Sequence, residues 1–298
     1  MKNLKKLITS PAVTIALFIL ASVLLLVSTI GGIRAAFQAI SEIYSGQMQM
    51  HCIGVTLQEK SAGDEKPREV AWRFHLENTA DKWDENSLHL LAGAHINKNN
   101  KEELDHSVFL GSDTEFRPGK SYTEELSVKN SGNIEEYVRV TIYKYWVDPD
   151  GNKVFLTDSE GNEIAKETER KGNTTQGLSP ALIKLNLTNS NVWLLDEKAS
   201  TEERIVVYYN SVLAPGEDTS KTPLSDKLTI DRMVGDKVTK TVSDDGKTIT
   251  TKYDYDGWQF CLEAVVDAVQ NHNAKDAIKS VWGRDVNVDN KGMITLAD

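Results

Sequence analysis

The chain is short of the residues that staple a fold or carry metal chemistry. Two cysteines in 298 residues, Cys52 and Cys261, make no disulfide framework. Neither sits in a C-x-x-C pair or beside a histidine at ligand spacing, so they offer no zinc site. Positive charge is scarce too: 34 Lys and Arg stand against 44 Asp and Glu. Such a surface repels nucleic acid and anionic lipid, and no nucleic-acid partner is expected. The six histidines, His51, His75, His89, His95, His106 and His272, form no H-E-x-x-H and read as scattered surface residues. G-x-S-x-G, Walker A and dinucleotide fingerprints are absent, so neither a cofactor nor a catalytic residue is assigned. The stretch Gly292 to Asp298 has no hydrophobic segment or basic tail, and covalent wall attachment through a sorting signal is not expected.

The N-terminal region is rich where the rest is poor. Lys2, Lys5 and Lys6 precede Ala12 to Ile30, a run without charge, and small residues follow at Gly31, Gly32, Ala35 and Ala36. That order is the secretory signal pattern, with cleavage expected between Ala35 and Ala36. The run is also long enough to span a bilayer, so an uncleaved anchor with its basic end inside is the alternative. Residues 1–35 are therefore read as the signal and 36–298 as an extracellular domain, secreted or at the cell surface. The membrane is met only through the signal segment. Cleavage removes Lys2, Lys5, Lys6 and Arg34 and no acid, leaving the mature chain more acidic than the −10 of the whole.

Beyond the signal, short alternating runs separated by turn signals predict a mainly β domain, a sandwich or barrel with a few short helices. The clearest strand is Tyr137 to Trp146. Val138, Val140 and Ile142 form its core face, and Arg139 and Thr141 are expected to face water. Further strands are expected at Gln47–Glu59, Glu69–His75, Ser121–Lys129, Arg204–Tyr209, Lys227–Ile230, Lys247–Tyr253 and Trp258–Val269. Asp244-Asp-Gly246 signals a hairpin. Helices are expected at Asn86–His95 and Ala274–Trp282, and the polar stretch near 158–177 reads as an exposed insertion. Phe116-Arg-Pro-Gly119 and Leu213-Ala-Pro-Gly216 echo one another as Pro-Gly turns feeding strands.

Two features have rival readings. Asp148-Pro-Asp-Gly-Asn-Lys-Val154 has oxygen donors at alternate positions, as a calcium loop would. Lys153 stands where that loop needs glycine and Ser159 where it needs glutamate, so a plain turn is the better account. Trp72, Trp146 and Trp258 fall in strand patterns and read as core, with a sugar-binding aromatic platform as the functional rival. Were the first and last mature strands paired, Cys52 and Cys261 would share an outer face. A disulfide between them, stabilising the fold by about 2–4 kcal/mol, is then expected.

Several segments together resemble a known family. They are Gly31 to Phe37, the strand after Ser45-Gly46, Arg117-Pro-Gly119, Ser127 to Asn133 running into Tyr137-Val-Arg-Val140, and Gln259 to Ala264. In these the chain is similar to the TasA/camelysin group of Gram-positive exported surface and biofilm-matrix proteins. The resemblance implies a jelly-roll-like antiparallel β-sandwich behind an N-terminal signal helix, with Asn130-Ser-Gly-Asn133 as the turn of a central hairpin. It implies a structural role, with the chain itself or other matrix components as partner and Ala36 to Met50 donated as a strand to the next subunit. Phe37, Ile40, Ile43 and Tyr44 in that segment are spaced more like a helix, and an amphipathic helix is the alternative. A secreted binding module for peptide or glycan is the second expectation. A camelysin-like metallopeptidase is the third.

Overall fold

The computed structural model describes residues 52–75, 89–90, 94–96, 102–104, 110, 116–164, 166, 169 and 176–298. Ala35, Ala36, the candidate donor segment and Trp83 lie outside them. The described residues belong to one compact unit, His51–Asp298.

The strands are β1 (Ile53–Ser61), β2 (Arg68–His75), β3 (His89–Leu90), β4 (Ala94–Ile96), β5 (Glu102–Leu104) and β6 (Ser121–Asn130). There follow β7 (Glu136–Val147), β8 (Lys153–Val154), β9 (Ile183–Leu187), β10 (Trp193–Leu195), β11 (Arg204–Tyr209) and β12 (Ser225–Ile230). A helical turn, α1 (Met233–Asp236), precedes β13 (Val238–Val242), β14 (Ile249–Tyr253) and β15 (Gln259–Gln270). Helix α2 (Ala274–Trp282) and the hairpin β16 (Val286–Val288) and β17 (Ile294–Leu296) complete the chain.

Two antiparallel sheets face one another. The first runs β2-β1-β6-β12-β9 and the second β10-β11-β7-β15-β3, with β8 on the end of β7. Their inner faces follow the period-2 patterns. Val138, Val140 and Ile142 are wholly buried, and β15 sets Ala264 opposite Ile142 and Val266 opposite Val140. Val55 and Leu57 of β1 and Leu126 and Val128 of β6 meet them from the other sheet. Trp146 closes one end of this core, its indole N–H donating to the Ser179 carbonyl at 2.9 Å.

The outer face of the second sheet is not left to water. Helix α2 buries Ala274, Ile278 and Trp282, a spacing of four that puts them on one stripe. That stripe packs on Tyr137, Val206, Tyr208 and Val269, and Val286 and Ile294 complete a second core. Arg139 and Thr141, expected in solvent, are instead half-buried and buried under this cover. The sequence pattern of β7 tells which face is more apolar and is silent on what later chain lies over the other.

Asn130-Ser-Gly-Asn133 is a corner between sheets and not a hairpin turn, since β6 and β7 belong to different sheets. The amides of Ser131 and Gly132 donate to the Gly54 carbonyl at 2.8 and 2.9 Å, and that of Asn133 to the Cys52 carbonyl at 3.0 Å. A Cβ on Gly132 would run into the Cys52 carbonyl oxygen, so glycine is needed for close approach, and its φ is not positive. The buried Asn130 amide ties the corner to the carbonyls of Ile134 and Leu213, both at 2.8 Å.

The expected Cys52–Cys261 bridge is not made: both cysteines are buried and neither is in a disulfide. Strands β1 and β15 lie in different sheets. Cys52 is held beside Asn133, just before β7 begins, whereas Cys261 lies opposite Tyr145 near its far end. At the usual rise of a strand the nine residue steps from Glu136 to Tyr145 span about 30 Å, several times the reach of a disulfide.

Residues 86–95, expected as a helix, contain β3 and the start of β4. Pairing of His89 and Leu90 with Ala264 and Glu263 of β15 overrides the local pattern. The Asp244-Asp-Gly246 hairpin forms between β13 and β14. In the polar insertion, Thr157 bridges to both Glu163 and Gln176.

Candidate functional site

Three turns share one chemistry. At Asp148, Asp158 and Asp289 the carboxylate accepts backbone amides two and four residues on, at 2.8–3.0 Å. A glycine at φ +76 to +85 follows three residues after each. The β13–β14 turn differs: the Ser243 hydroxyl accepts the Thr248 amide, five residues on, at 3.0 Å. The Asn162 side-chain amide first at Asp158, and the backbone amides at Asp148 and Asp289, hold all three carboxyls below the usual carboxylate range. The Asp148 carboxylate is thus turned inward on its own turn, and its spacing is accounted for as turn chemistry. Among the described residues no group of three His, Cys, Asp or Glu side chains is placed to hold a metal.

An aromatic groove lies where the chain turns from β14 into β15. The run Tyr253-Asp-Tyr-Asp-Gly-Trp258 makes tight turns, with the Asp256 amide donating to the Tyr253 carbonyl at 3.3 Å and that of Trp258 to Tyr255 at 3.2 Å. Gly257, at φ +79, supplies the positive φ and lies against Pro149. The outcome is an edge-to-face pair of Tyr255 and Trp258, ring centroids 5.1 Å apart. On one side of the pair is a hollow of about 650 Å³ floored by Phe116, Trp146 and Phe260. On the other is one of about 560 Å³ walled by Phe155, Lys153 and Lys237.

Polar groups ring these apolar surfaces. Lys237 donates to the Tyr255 hydroxyl, which donates to the Gly177 carbonyl, both at 3.3 Å. Asp254 accepts from the Thr239 hydroxyl at 2.6 Å. Asp256 and Gln259 are exposed at the rim. A half-buried aromatic ridge with amide and carboxylate groups beside it can stack on an apolar ring face while hydrogen-bonding that ring's hydroxyls. It holds no nucleophile–base pair.

Of the tryptophans read as core, Trp146 is core, while Trp72 and Trp258 are half-buried. The alternating aromatic and acidic residues ahead of Gly257 were the signal for this groove, and strand periodicity alone passes over it. Comparison with protein-family models, curated proteins and solved structures gives no match. The chain stands on its own residues. Among the described ones, no helix is long and apolar enough to cross a membrane.

Proposed function

We propose that the chain is an exported structural protein of the cell surface or extracellular matrix, which joins copies of itself by strand addition as the TasA/camelysin proteins it resembles would. The observation that carries this reading is the outer edge of β15. The strand is twelve residues long and pairs with β7 from end to end. On its other edge, among the described residues, only Glu263 and Ala264 are paired, with β3. A long strand whose edge, among the described residues, lies mostly outside the ladder can accept an extended segment by backbone hydrogen bonding, and alternate side chains set its register. The segment offered is Ala36 to Met50, freed by cleavage after Ala35. Electron microscopy of protein beginning at Ala36 tests the reading. Ordered filaments, lost when residues 36–50 are removed, are expected; monomers under all conditions would overturn it.

The aromatic groove favours a second reading, a surface module that binds glycan. Titration with soluble oligosaccharides, read by tryptophan fluorescence, should show binding lost in Trp258→Ala and Tyr255→Ala.

A further inference from the structure

On the outer face of the second sheet, beside α2, lies a separate pocket of about 460 Å³. Its wall carries Arg139 from β7, Lys198 from the β10–β11 connection, Arg204 from β11 and Arg284 just past α2. Four cations around one hollow run against a chain whose net charge is −10.

Their partners leave the pocket rich in donors. Arg139 gives one Nη to Asp267 at 2.7 Å, and Arg73 takes the other oxygen of the same carboxylate. Arg284 lies with Nε 3.0 Å from the buried Asp196, whose other oxygen faces the amides of Lys198 and Ala199 at 3.2 and 3.3 Å. Arg204 spends its Nε on the Ala199 carbonyl at 2.9 Å. The Nη groups of Arg204 and Arg284 and the Nζ of Lys198 have no partner among the described residues. Beneath them Arg139 Nε and Trp282 Nε1 are buried without an acceptor. Trp282 itself is only 9% exposed. A buried donor left without an acceptor is costly. The buried side-chain atoms left without a partner here, Arg139 Nε, Trp282 Nε1 and Arg284 Nε, are all donors, and an acceptor carrying negative charge would satisfy them.

We propose that this pocket binds a tetrahedral oxyanion, the phosphoryl or sulfuryl group of a ligand. The open donors come from a strand, a loop and the residues beyond a helix, so they converge from three sides. A phosphoryl or sulfuryl group presents three oxygens to such an arrangement, whereas a carboxylate is satisfied by one guanidinium edge. Asp196 does not fill the site, because its carboxylate is drawn down to backbone amides and Arg284.

Calorimetric titration of the full chain with inorganic phosphate, inorganic sulfate and acetate, at constant ionic strength, tests the proposal. One saturable site is expected for phosphate or sulfate, about tenfold or more tighter than for acetate. The preferred ion assigns the group as phosphoryl or sulfuryl. In the double variant Lys198→Gln/Arg204→Gln that affinity should fall about tenfold or more, while the protein without anion still unfolds in one cooperative transition. Lys247→Gln, on the exposed β13–β14 hairpin, should leave binding intact. Equal anion binding by parent and double variant would sink the site, and acetate binding as tight as phosphate would sink the tetrahedral assignment.

Discussion

Gly119 and Gly216 hold corresponding corners of one sheet. The Gly119 amide donates to the carbonyl of Ile230, where β12 ends, at 2.7 Å. The Gly216 amide donates to the carbonyl of Asn130, where β6 ends, at 2.9 Å. Each glycine is the third residue of a Pro-Gly turn closed by an i to i+3 bond, Lys120 to Arg117 and Glu217 to Ala214. Each turn leads into one of two adjacent antiparallel strands and docks on the end of the other. The sequence echo between 116–119 and 213–216 is thus two equivalent corners.

Both glycines sit at positive φ, +85 and +78. Gly216→Ala should destabilise by roughly 1 kcal/mol from backbone strain alone. Gly119→Ala should cost more, because its Cβ would also press on Arg232 Cβ at 3.2 Å. Urea melts of the two variants, with the order Gly119→Ala below Gly216→Ala below parent, check this.

Val140→Asp places an unpaired charge at a wholly buried site and should abolish the cooperative melt. Arg139→Ser, which a solvated position would tolerate, should instead cost roughly 1–3 kcal/mol. It leaves the buried Asp267 with Arg73 alone and strips the guanidinium stacked 5.3 Å over Trp282. A pair of thermal melts reads both.

Glu136 sits wholly buried at the start of β7, and burial pushes its carboxyl up to about 8, against the lowering effect of the Gly54 amide. In the unfolded chain this group loses its proton near 4.5, while the folded chain keeps it to about 8. The folded state then binds the extra proton, so the group's contribution falls as pH rises through that window and is constant below it. Glu136→Gln should match the parent at pH 4 and melt higher at pH 8. Melting-temperature profiles that stay parallel across this range would refute the assignment.

The cysteines should count as two thiols in the unfolded chain without reductant, and reduction should leave the melt unchanged. A thiol count of zero there, under conditions that exclude intermolecular bonding, would contradict the 30 Å separation estimated from strand rise.

What the sequence made legible was local. Strand β7 was visible because Val138, Val140 and Ile142 alternate without a break. Helix α2 was visible because Ala274, Ile278 and Trp282 recur every fourth residue. Partnership across the chain was not visible. Nothing in Asn130-Ser-Gly-Asn133 says that the strands on either side belong to different sheets, since a tight corner and a tight hairpin use the same residues. The burial of Arg139 depends on a helix more than 130 residues later. The aromatic groove needs Phe116, Trp146 and Trp258 together, and only the folded topology supplies that.

The hairpin β13–β14 buries almost none of its side chains; Val242 and Ile249, opposite one another, are 56% and 66% exposed. A ribbon of two strands with no covered face is marginal in water on its own. Yet its last residue, Tyr253, and Lys237 at its base are walls of the aromatic groove. That rim can open at a local free-energy cost far below the cost of unfolding the sandwich. An occupant of the groove would thus register first as slowed amide exchange in residues 238–253, with the exchange of β7 and β15 left as it was.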